Sequence, residues 1–121
     1  MARRDITGAV DFPYLEAYAA GDAALIDEVL ALFEEQTGLW LRLLDPQGDG
    51  SAWRDGAHTL KGASAGVGAH ALAVICGEAE AAWDSPPALK AAVLQRLSGA
   101  LEFVRADIAA YRHEQALRSL K

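Results

Sequence analysis

Cysteine is nearly absent from this chain: Cys76 stands alone among 121 residues. An internal disulfide is therefore excluded, and a single thiol fits a reducing compartment such as the cytoplasm. Proline is also sparse. Pro13, Pro46, Pro86 and Pro87 all fall where helices would start or stop, so none interrupts a helix interior. Positive charge is in deficit, with 11 Lys and Arg against 17 Asp and Glu and a formal net charge of −6. That balance argues against a nucleic-acid binder and against a protein resting on an anionic membrane. No apolar run approaches a membrane span, and Met1-Ala2-Arg3-Arg4 leads into acidic, mixed sequence rather than a signal peptide. β-Branched residues are few, and no strand alternation, internal repeat or linker is present. A glycine-rich phosphate loop, an acidic cluster suited to Mg²⁺ and the length of an ATP-binding domain are missing too.

What is present is alanine and leucine in helical rhythm, in a chain long enough for one domain with one core. Residues 1–10 and 113–121 read as frayed ends. Asp11 caps a short helix to about Tyr18, with Pro13 in its first turn and Phe12, Leu15 and Tyr18 apolar. Gly21 ends it and Asp22 caps the next, where Ile26, Val29, Leu30, Phe33, Thr37, Trp40 and Leu44 recur at three- and four-residue steps. The turn cluster Asp45-Pro46-Gln47-Gly48-Asp49-Gly50 follows, and Ser51 is read as the cap of a third helix. Leu72, Ile75, Cys76, Ala79 and Trp83 outline a fourth. Leu89, Val93, Leu97, Ala100, Leu101, Val104, Ile108 and Tyr111 outline a fifth, to about Arg112 and on the order of 40 Å long. The expected fold is all-α: an antiparallel up-and-down four-helix bundle with a short additional N-terminal helix.

The third helix carries the unusual residues. Trp53, Ala57, Leu60, Ser64 and Val67 take the buried side at helical spacing, which points His58 outward. Lys61 at i+3 and Gly62 at i+4 share its face, with Arg54 one turn before. Gly62 and Gly66, with Gly56 upstream, each cost a helix roughly 1 kcal/mol relative to Ala. Beside an outward imidazole, that cost implies a need for bare backbone where another macromolecule approaches. A solvent-facing imidazole is largely neutral and nucleophilic at cytoplasmic pH. Without a carboxylate partner and an oxyanion hole it is ill equipped for acyl transfer. It is well suited to accepting a phosphoryl group on a ring nitrogen. Lys61 and Arg54 supply cations for the resulting anion, and Gly62, Ala65 and Gly66 leave room for in-line approach.

The run His58-Thr59-Leu60-Lys61-Gly62-Ala63-Ser64-Ala65, followed by Gly68, Leu72 and Cys76, resembles the motif of histidine-containing phosphotransfer domains. Upstream, Gly21-Asp22, Leu25-Ile26, Glu28 and Leu32-Phe33 are similar to that family's first bundle helices, and the resemblance extends from about Asp11 to Arg112. It implies that His58 is the phospho-acceptor, Lys61 its phosphate-stabilising neighbour and Gly62 the close-approach residue, with Arg54, Ala65, Gly66 and Glu80 at the docking surface. Family members often carry Gln or another polar residue on the facing helix; Glu80 stands at that position here. A carboxylate there orients a neutral imidazole and repels its phosphorylated form. The resemblance further implies a monomeric cytoplasmic phosphocarrier without kinase activity or a cofactor of its own. Its partners would be receiver domains of response regulators or hybrid kinases, which bring the Mg²⁺.

Plainer readings apply elsewhere. His70 and His113 lack such company and read as surface residues with no metal-site spacing. Cys76 reads as inert core. Trp40, Trp53 and Trp83 read as core, one of them edging the docking surface. Leu32, Leu39 and Leu43 are either broadly buried or a partly exposed docking patch. Two other functions compete. A histidine-kinase dimerisation module also presents a helical histidine, but its His-Glu pair and following proline are absent here. A scaffold that binds receivers without accepting phosphate has no need of a nucleophile.

Overall fold

The computed structural model describes residues 7–120. Helix α1 spans Phe12–Tyr18, α2 Ala23–Trp40, α3 Gly50–Gly66, α4 His70–Ala81 and α5 Pro87–Ser119. Helices α2 to α5 form the antiparallel bundle, and α1 is the short additional helix. Among the described residues there is no strand.

The termini of the helices follow local chemistry. Asp11 accepts the Tyr14 N–H and Asp22 the Leu25 N–H, each satisfying a donor of the first turn. The cap of α3 lies two residues before the expected Ser51. Asp49 accepts both the backbone N–H and the hydroxyl of Ser51, so the helix starts at Gly50. Helix α2 does not continue regularly to Leu44 but tightens after Trp40 into a 3₁₀ turn, Leu41–Leu43. That turn lies against Gly56, where a Cβ would stand 3.0 Å from Leu43 Cβ and 3.2 Å from the Trp40 carbonyl oxygen. Gly56 is therefore a packing residue, not part of the bare surface expected around His58.

Trp53, Ala57, Leu60, Ser64 and Val67 are all buried, as their spacing predicts. Trp53 is fully enclosed. Its indole N–H donates to the Ala79 carbonyl at 2.6 Å, which fixes the register of α3 against α4. The Lys90 ammonium lies 5.3 Å from the centre of the same ring. Lys90 is buried while Leu89, expected on the inner stripe of α5, is exposed in the first turn of that helix. The long stem of Lys90 can lie along apolar surface there.

Both expectations of frayed ends need correction. Helix α5 continues through 113–119. At the other end, Thr7 to Val10 are tied to Asp107, which is fully buried in α5. Asp107 accepts the Thr7 N–H at 2.7 Å, the Thr7 hydroxyl at 3.0 Å and the Val10 N–H at 3.1 Å. Val10 is buried with it. Residues 1–6 and Lys121, also expected to fray, lie outside the described residues.

The entry into α4 is set by Gly68, which adopts φ +86°. Its carbonyl accepts the Asp11 N–H at 2.9 Å, and a Cβ there would sit 2.9 Å from the Asp11 carbonyl oxygen. Only glycine combines that left-handed backbone with so close an approach of α1.

Candidate functional site

His58 lies on the outer face of α3 with its side chain 68% exposed. Across the groove, Glu80 of α4 is placed by the Trp53–Ala79 hydrogen bond one residue earlier. Its Oε2 stands 2.9 Å from His58 Nδ1, and its Oε1 stands 2.9 Å from Lys61 Nζ. One carboxylate thus spans the histidine and the lysine that follows it by three residues. Lys61 reaches it over Gly77, where its Cδ would be 3.5 Å from an added Cβ.

This arrangement sets the tautomer. The carboxyl of Glu80 is held below the usual carboxylate range, chiefly by the Lys61 hydrogen bond and then by His58, against the opposing effect of desolvation. At neutral pH it is an anion and only accepts hydrogen bonds. The proton of the neutral imidazole therefore resides on Nδ1 and donates to Glu80. The lone pair is left on Nε2, at the solvent side of the ring. Such a ring is a nucleophile with its open nitrogen facing whatever docks.

Around it the backbone is bare. Gly62 and Gly66 are exposed, and a Cβ at either would meet nothing within 4 Å. Nothing among the described residues demands glycine at these two positions, in contrast to Gly56. Ala65 is exposed beside them. Arg54 does not reach a carboxylate among the described ion pairs. Its guanidinium lies 4.6 Å from the centre of the Trp83 ring. Trp83, expected on the inner stripe of α4, lies beyond the end of that helix and is 37% exposed. The Arg54–Trp83 stack was not legible in the sequence, because it depends on where the chain turns after Ala81.

On the other flank of α3, a groove of about 320 Å³ opens between α1, α2 and α3. Tyr14, Tyr18, Leu32, Gln36, Ala63 and Gly66 are among its lining residues. Tyr18 is 78% and Leu32 50% exposed. Leu32, Leu39 and Leu43 are exposed, not broadly buried. Of the apolar residues of α1, Phe12 and Leu15 are buried, while Tyr18, at the last turn of a seven-residue helix, is left outside.

The remaining candidates are plain. His70 is exposed, with Nε2 3.3 Å from Asp11 Oδ2, and His113 is exposed on α5. Cys76 is buried, and burial pushes its thiol up to about 11. It is neutral at physiological pH and inert. Among the described residues no three His, Cys, Asp or Glu side chains stand where they could hold a metal ion. No helix among them is long and apolar enough to cross a membrane.

Comparison with known proteins gives two matches. The family model described as the Hpt domain matches residues 23–114. The crystal structure of the histidine phosphotransferase ShpA from Caulobacter crescentus is similar in fold, with a TM-score of 0.77 and 53% sequence identity. That match covers 94% of this chain and 100% of that one. No curated protein matches.

Proposed function

The chain belongs to the histidine-containing phosphotransfer family, the phosphocarriers of phosphorelay signalling, and we propose that His58 is its phospho-acceptor. The observation that carries this reading is the exposed ring whose Nδ1 is engaged by Glu80, which leaves Nε2 as its open nitrogen. Nε2 attacks the phosphorus of a receiver domain's aspartyl phosphate; the P–O bond breaks as the P–N bond forms. Lys61 exchanges its contact with Glu80 for the incoming phosphoryl oxygens, as a mobile point charge. Arg54, held over Trp83, contributes a second cation at the edge of the contact. Gly62, Ala65 and Gly66 keep the surface low, so that donor, phosphorus and acceptor can align.

The receiver domain would seat its apolar contact surface over Tyr14, Tyr18 and Leu32 beside the histidine. The Mg²⁺ of the reaction belongs to that partner, and this chain takes phosphate from proteins, not from nucleotide. A bundle completed by four helices of one chain supports a monomer. A cytoplasmic location follows from the receiver partners. His58→Gln is expected to abolish acid-labile labelling by a phosphorylated receiver domain, with the circular dichroism of the bundle retained. Labelling that survives the substitution overturns the assignment.

A further inference from the structure

The group beside His58 is a carboxylate, and its charge has a consequence for the phosphorylated state. When Nε2 takes the phosphoryl group, the ring keeps its Nδ1 proton and gains a positive charge. On the next transfer an aspartate oxygen forms a new P–O bond and the P–Nε2 bond breaks. The electron pair returns to Nε2, and a neutral imidazole departs still carrying the Nδ1 proton. Were that proton lost beforehand, the departing group would be an imidazolate anion, and transfer would be slow. The protonation of Nδ1 in the phosphorylated ring therefore decides how readily the group moves on.

The carboxylate 2.9 Å from Nδ1 acts on that proton directly. A negative acceptor favours the charged donor through both the hydrogen bond and the Coulomb attraction. Its repulsion of the phosphoryl group is present whether or not the ring is protonated, so it cancels from the ring's proton equilibrium. Among the described residues, the other charges within one helical turn of His58 lie on α3: Lys61, Arg54 and Asp55, the last at i−3. From α4, Glu80 is the group at hydrogen-bond distance. Helix α2 and the 3₁₀ turn pack against the opposite flank of α3, at Gly56 and Ala63, with the neutral Gln36 beside the groove. Lys61 opposes retention of the proton, but it is bound to Glu80 only before transfer; once it moves to the phosphoryl oxygens, the carboxylate is left to Nδ1 alone.

We propose that Glu80 is a positioning residue that keeps the Nδ1 proton on phosphorylated His58 through neutral pH, so that the phosphoryl group is held in a transfer-ready form. This rests on His58 being the acceptor. The test uses the full chain and Glu80→Gln, each labelled with ¹⁵N-histidine and phosphorylated by the small-molecule donor phosphoramidate. The ring of the phosphorylated histidine is then titrated by NMR. The midpoint is expected to fall by about one pH unit in Glu80→Gln. The pH at which phosphotransfer to a receiver domain declines should fall with it. Glu80→Ala, which removes the group altogether, is expected to move both in the same direction. Equal midpoints in the native chain and both variants, or a shift upward, overturn the role of Glu80 while leaving the labelling of His58 intact. Failure of the native chain to be labelled at His58 overturns the acceptor assignment instead.

Discussion

Glu80 stands at the rim of the bundle, a quarter exposed, between an ionisable ring and an ammonium. Asp107 is fully buried in α5 and takes three neutral donors from Thr7 and Val10. Both carboxyls join segments far apart in the chain. At the rim, solvent screens the ion pairs, so they contribute little to stability and leave the charge of Glu80 free to act on its neighbour. In the interior, the Val10 N–H that loses its acceptor is stranded, while the exposed Thr7 donors can turn to water, so the same functional group becomes a fastener for the Thr7–Val10 segment. Burial, not residue type, separates the two roles.

The largest expected effect comes from removing the buried member. Asp107→Ala should lower the unfolding free energy by about 2–3 kcal/mol, because the buried Val10 N–H is stranded and the two Thr7 bonds are lost to solvent. Urea denaturation measures it. Phosphotransfer per folded molecule should be unchanged; a folded Asp107→Ala variant that no longer transfers phosphate would erase the contrast. Thr7→Val is a smaller cut. It deletes the hydroxyl at 3.0 Å from Asp107 while keeping the backbone contact, and should cost about 1 kcal/mol by the same measurement.

The smallest effect on stability is expected at the rim, where Glu80→Gln should change the unfolding free energy by less than about 1 kcal/mol at neutral pH. What it changes is the acid limb. The carboxyl of Glu80 is held below its ordinary value of 4.5 in the folded chain, first by Lys61. Its contribution is thus fully present above that pH and is lost as pH falls through the lowered value. Denaturation midpoints of native and Glu80→Gln chains should converge as pH falls through that lowered value. Midpoints that stay apart there would show that Glu80 acts through packing, not charge.

Much of this molecule is legible in its sequence. The caps at Asp11 and Asp22, the turn before α3 and the inner face of α3 are decided by residues within a turn or two of one another. Periodicity reads such local facts well, and it therefore pointed His58, Lys61 and Gly62 outward together. It erred where a side chain's fate depended on what lay opposite. Gly56 looked like Gly62 until the 3₁₀ turn was placed beneath it. Trp83 looked like Trp53 until α4 stopped at Ala81. The ends looked frayed because nothing near Thr7 in sequence announces an acceptor 100 residues away.

The sequence by itself determined the outward histidine with its lysine and bare glycine, because an α-helix converts spacing of three and four residues into a shared face. Only the tertiary structure decided that Glu80 touches both His58 and Lys61, and hence which ring nitrogen is open. Two carboxylate oxygens reach two residues on a neighbouring helix only when the register between α3 and α4 is set to within a fraction of a turn. That register comes from Trp53 bonded to Ala79, in the packed interior.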